Sequence, residues 1–220
     1  MDILAFDIAH MLAGGLVLVS FMQLYQTRLP ALLHLYALHA LVLAVSVAWQ
    51  AHIQAEPHLY LTALLALLFK ATVIPLALYR IIVRLGVHRE IEPVVGIGLT
   101  MLAGIGLVAL SMVLMLRITA ESDILAREDL GFALAIILLG LLMMVSRRNA
   151  VSQVIGFMSL ENGTVLAATG AKGMPFVVEI SVAFSILIAL IVVGIFLFRI
   201  RERFDTVDVH ALDQFRGGRS

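Results

Sequence analysis

The sequence predicts an all-α integral membrane protein of about seven transmembrane helices, with its N-terminus outside and its C-terminus cytoplasmic. Three observations carry that expectation. Apolar residues make up 62% of the 220-residue chain and charged ones 14%, with a mean hydropathy of +1.06, far from the balance of a water-soluble domain. Those apolar residues lie in uncharged runs close to the ~20 residues that cross a hydrocarbon core. The basic residues fall unevenly on alternate connections, which sets the orientation.

In chain order the spans read as 4–25, 31–53, 59–83, 93–116, 130–146, 150–170 and 174–198. The chain starts with Asp2 and Asp7 and no positive n-region, and Arg28 follows the first apolar run, so that run reads as an uncleaved outward-to-inward span rather than a signal peptide. Pro30 closes the first turn, Glu56-Pro57 and Glu92-Pro93 precede the third and fourth spans, and Gly170 to Pro175 makes the last short connection. Arg117 to Asp129 is the only long polar loop between spans, and its centre suits a short interfacial helix. Four regions result: a four-span region over 1–117, a polar connecting loop over 118–129, a three-span region over 130–199 and a cytoplasmic tail over 200–220.

With the N-terminus outside, eleven basic residues face inward: Arg28, Arg80, Arg84, Arg89, Arg147, Arg148, Arg199, Arg201, Arg203, Arg216 and Arg219. Only Arg117, Arg127 and Lys172 face outward, and Lys70 lies within a span. The expected location is a membrane, crossed several times. The chain has no cysteine, which excludes disulfides, iron–sulfur ligation and thiolate metal sites within it. No metal site is expected, and nucleic acid is not an expected partner. Gly14-Gly15 and Gly96, Gly98, Gly104 and Gly106 offer small faces for close helix packing, while Trp49 and Tyr60 suit an interfacial belt.

Chemistry must then come from polar groups inside the bundle. Lys70 stands without a charged neighbour between Glu56 and Arg80, and Glu161 without one between Arg148 and Lys172. A charge at such depth costs roughly 2.5–3.5 kcal/mol on the insertion scale, so it marks a functional candidate. Pro75 follows Lys70 by five residues and frees a backbone carbonyl near residue 71. Glu161 sits in a polar collar with Ser159, Asn162 and Thr164, where a carboxylate can bind and release a proton. A static structural pair fits the same residues.

Glu179, about one turn inside the outer interface, is a third candidate for a proton pathway, although a carboxylate early in a helix is also favoured by the helix dipole. His34, His39 and Asn162 are weaker polar candidates; the two histidines are about 140° out of phase on a helix and cannot share a metal by themselves. His10 is weaker still. In the tail, Arg203, Asp208 and Arg216 suit docking on a partner at the cytoplasmic face, with a solvated tail as the alternative.

The stretches V-I-G-F-M-S-L-E-N-G-T-V-L-A-A (154–168), I-S-V-A-F-S-I (180–186) and D-V-H-A-L-D-Q-F-R-G (208–217) resemble the K-type subunit of respiratory complex I and the C subunit of Mrp antiporters. Where that pattern places its two carboxylates this chain has Met158 and Ile186, so Glu161 and Glu179 are out of register with it. The whole chain resembles the membrane component E of hydrogenase-4-type, formate hydrogenlyase-related complexes, with F-K-A-T-V-I-P-L-A-L (69–78) similar to its lysine-plus-proline third span. That resemblance implies a non-catalytic membrane subunit beside antiporter-like subunits, helping to couple proton translocation to electron transfer. It also implies nickel–iron and iron–sulfur centres in partner subunits and no cofactor in this chain. A Mrp-like cation/proton antiporter subunit and a purely structural membrane spacer are the alternatives.

Overall fold

The computed structural model describes residues 3–85, 91, 94–118 and 124–170, and these form helices joined by short turns. Helix α1 (Ile3–Tyr25) leads into α2 (Leu29–Gln54), which starts at an extended Arg28 with Pro30 in its first turn. Proline is at home there because its missing N–H would have no helical partner. Helix α2 stops at Ala55, which takes a left-handed conformation (φ 54°), and Glu56 N–H closes back on Ala51 O at 3.2 Å.

The third rod begins with Pro57 in the first turn of α3 (Pro57–Leu65), passes through a π-helical segment (Ala66–Val73) and continues as α4 (Ile74–Leu85). Its wide turns lie immediately before Pro75. In a regular helix that ring would press on the carbonyl four residues back, and it has no N–H to give. The π register absorbs the conflict: Ile74 N–H reaches Phe69 O, and Thr72 Oγ1 donates to Leu67 O at 3.0 Å.

Helices α5 (Ile97–Ile118), α6 (Ile124–Ser146) and α7 (Ala150–Gly170) complete the described part. Helix α6 begins at Ile124, not near 130, so half of the expected connecting loop belongs to it. The span expected at 174–198 lies outside the described residues. Among the described residues, five rods are long and apolar enough to cross a membrane: Leu4–Tyr25, Leu29–Gln54, Pro57–Arg80, Ile97–Met115 and Asp129–Ser146. Helix α7, with Gln153, Glu161 and Asn162 in it, is more polar.

Helices α1, α2, α6 and α7 enclose the core, with the third rod against α2 and α5 against α6. Leu16, Leu32, Tyr36, Leu43, Ile136, Leu139 and Ile155 fill it. The closest approach is between α6 and α7. A Cβ on Gly140 would lie 2.7 Å from Leu160 N, and one on Gly163 would lie 2.9 Å from Ala133 O, so both positions need glycine for backbone to meet backbone. The glycines expected to do this are mostly open: Gly14, Gly96, Gly98 and Gly106 would meet nothing within 4 Å, and only Gly104 is tight, against Phe21 and Leu139. Small size allows close approach, but only a facing helix makes use of it.

The two ends of the bundle are tied differently. At one, Ile91 N–H donates to Thr27 O at 2.7 Å and Val94 N–H to Ser146 O at 2.9 Å. At the other, Trp49 Nε1 donates to Ala5 O at 2.9 Å, joining α2 to the start of α1.

Candidate functional site

Lys70 and Glu161 meet. Lys70 Nζ is 3.1 Å from Glu161 Oε1 and donates to Asn162 Oδ1 at 2.9 Å. The π segment supplies the lysine from the third rod, and α7 supplies the two acceptors from consecutive positions near its middle. Both charged residues are buried, Lys70 with 2% and Glu161 with 5% of its surface exposed. Among the described residues no group of three potential metal-ligating side chains exists.

Behind Asn162 runs a chain of hydrogen bonds whose directions can be assigned. Ser20 Oγ donates to Leu16 O at 3.0 Å, so it accepts from His39 Nε2, 3.1 Å away. His39 Nδ1 is then free to accept from Asn162 Nδ2 at 3.0 Å, and Asn162 Oδ1 faces the lysine. The network thus fixes His39 as the neutral Nε2–H tautomer. An amide passes protons poorly, so Asn162, held by His39 and Ser20, serves to present an acceptor to Lys70.

A second branch starts one turn before Asn162. Ser159 Oγ donates to Gln23 Oε1 at 2.9 Å, and Gln23 lies one turn beyond Ser20 on α1. Ser20, His39, Asn162, Ser159 and Gln23 therefore make a polar ring of two separate hydrogen-bonded branches across α1, α2 and α7. Arg147, buried at the end of α6, donates through Nη2 to Leu24 O on the next residue of α1. Burial lowers its pKa from the ordinary arginine value.

Of the residues expected from sequence, Lys70, Glu161, Asn162 and His39 are brought together, while His34 lies exposed on the far side of α2 against Tyr79, ring centres 6.5 Å apart. Glu179, Arg203, Asp208 and Arg216 lie outside the described residues. Ser20, Gln23, Ser152 and Arg147 were not expected. For Ser152 the signal was periodicity: Ser152, Ser159, Asn162 and Thr169 recur at seven, three and seven residues along α7, all of them buried.

No family model matches the chain, and no solved structure matches it. Among curated proteins, it is 29% identical over 208 residues to an uncharacterised protein of Mycobacterium tuberculosis, covering 93% of this chain and 94% of that protein. It is 37% identical over 92 residues to hydrogenase-4 component E of Escherichia coli (strain K12), covering 41% of this chain and 43% of that protein. The component E of Shigella flexneri matches to the same extent. The match to component E thus spans less than half of either chain. It supports the likeness to hydrogenase-4 component E over that part, whereas these comparisons do not show the likeness to complex I and Mrp subunits.

Proposed function

We propose that this chain is a non-catalytic membrane subunit of a hydrogenase-4-type complex in a prokaryotic inner membrane, and that Glu161 is its proton-binding group. The partial similarity to hydrogenase-4 component E supports the first part. The observation that carries the second is the buried contact between Lys70 Nζ and Glu161 Oε1 at 3.1 Å, shared with Asn162. Glu161 and Lys70 balance one another while the carboxylate is charged. When Glu161 takes up a proton, Lys70 loses its counter-charge and keeps Asn162 Oδ1, so the ammonium is driven to move or to give up a proton in turn. Such a pair responds to any change of potential in neighbouring subunits.

In this reading the arginine-rich connections face the cytoplasm, Glu179 is a further station toward the outer side, and Arg203, Asp208 and Arg216 dock on a partner. Antiporter-like membrane subunits are its neighbours, and the nickel–iron and iron–sulfur centres belong to other chains. The test is proton translocation by membrane vesicles carrying an assembled Glu161→Gln complex. Loss of translocation with electron transfer retained supports the reading. Normal translocation would return the Lys70–Glu161 pair to the role of structural spacer.

A further inference from the structure

The polar groups around the site are distributed unequally between the two ends of the bundle. Toward the C-terminal ends of α2 and α7 they satisfy one another. Gln54 Nε2 donates to Gln50 Oε1 at 3.1 Å and to Thr169 O at 2.8 Å, Gln50 Nε2 donates to Asp129 Oδ2 at 3.4 Å, and His10 Nε2 lies 3.5 Å from Asp129 Oδ1. Between this cluster and His39, α2 places Leu43, Ala44 and Val47, all buried, with Ser46 as the one buried polar side chain of that stretch. Four helices are cross-linked there, with mainly apolar packing beneath.

Toward the opposite end, several buried polar atoms lack partners among the described residues. Ser159 reaches Gln23 Oε1, yet Gln23 Nε2 has no hydrogen-bond partner among the described residues. The same holds for Ser152 Oγ and for Arg147 Nε and Nη1. A buried donor left unpaired costs about 1–3 kcal/mol, and more when charged, so several on one side of a core call for a common solution. Ordered water, bonding to two to four polar groups, is the usual one. These groups also lie in sequence along one line: Ser152 and Ser159 are seven residues apart on nearly the same face of α7, about 10 Å along its axis. Gln23 touches Ser159, while the neighbouring Leu24 carbonyl holds Arg147.

We propose that Gln23, Ser152, Ser159 and Arg147 line an aqueous route from the Arg147 end of the bundle to Asn162 and the Lys70–Glu161 pair, and that the Asp129 end is sealed. The inference deepens the proton-site reading, because directed transfer requires a carboxylate that exchanges with one side at a time. It is nevertheless a statement about water, testable without any measurement of pumping.

The chain has no cysteine, so single substitutions report on their own sites. Ser159→Cys and Ser152→Cys are nearly isosteric, and Ile155→Cys and Val165→Cys place a thiol at buried apolar positions of the same helix. Each is introduced into the native complex, checked for assembly, and treated in sealed vesicles of known orientation with a charged, membrane-impermeant methanethiosulfonate, with labelling of this subunit read by mass spectrometry. Ser159→Cys and Ser152→Cys are expected to label at least tenfold faster than Ile155→Cys and Val165→Cys, and only from the Arg147 side. Ser159 lies deeper along α7 than Ile155, so simple distance from the helix end predicts the reverse order. Failure of Ser159→Cys to label, equal labelling at Ile155, or labelling from the Asp129 side each overturns the route. None of these outcomes bears on whether Glu161 carries a proton, which Glu161→Gln tests separately.

Discussion

Removing one member of the Lys70–Glu161 pair should cost far more than removing both. Lys70→Met deletes the ammonium that lies 3.1 Å from Glu161 Oε1, and Glu161→Gln deletes the charge that balances the lysine. With both groups buried, each single change is expected to destabilise the fold by about 3–5 kcal/mol, because it leaves a charge in a low-dielectric core without its counter-charge. The double variant removes both charges. Its remaining cost is chiefly Asn162 Oδ1, which loses the donor at 2.9 Å, about 1–3 kcal/mol for an acceptor left unpaired. The double variant should therefore lie well above the roughly 6–10 kcal/mol loss that addition of the single effects gives. Reversible unfolding in mixed detergent micelles, followed by helical content, supplies the four stabilities of the cycle. Additive losses, with the double variant weaker than either single one, would refute the claim that the two charges depend on each other.

Two further outcomes follow from the packing. Gly163→Ala places a methyl group 2.9 Å from Ala133 O, so α6 and α7 must part; a loss of about 1–3 kcal/mol is expected in the same unfolding assay, whereas Gly98→Ala, with nothing within 4 Å, should be nearly silent. Asn149→Ala removes the side chain whose Oδ1 accepts Val151 N–H at 2.9 Å at the start of α7, and should cost about 1 kcal/mol, with Asn149→Asp retaining most of the native stability.

Much of this architecture was legible because the bilayer imposes strong rules. Apolar length found α1, α2 and the third rod closely, and proline marked where two of them start. The same rule drew α6 too short, since Arg127, Glu128 and Asp129 look like loop although they continue its helix. Lys70 and Glu161 stood out because each charge was isolated in a long apolar run. Their contact was not legible, because it depends on how the third rod and α7 are rotated about their axes. Glycine was misleading for a related reason: α5 carries as many glycines as α7, but the close helix pair is α6 with α7. The polar ring was visible only as spacing, and a serine or glutamine in an apolar helix is too common to stand out until three helices place several together. The π-helical turns at Lys70 are a consequence of Pro75 that sequence reasoning had reached only as a freed carbonyl.

The claim that Glu161 exchanges a proton can be watched at the group itself. Infrared difference spectra of the assembled complex, recorded between resting and turning-over states, should contain a carboxylic-acid C=O band that is absent from Glu161→Gln and moves when Lys70 or Asn162 is replaced. A turnover spectrum of the native complex that keeps its whole carboxylic-acid region unchanged in Glu161→Gln would contradict the account.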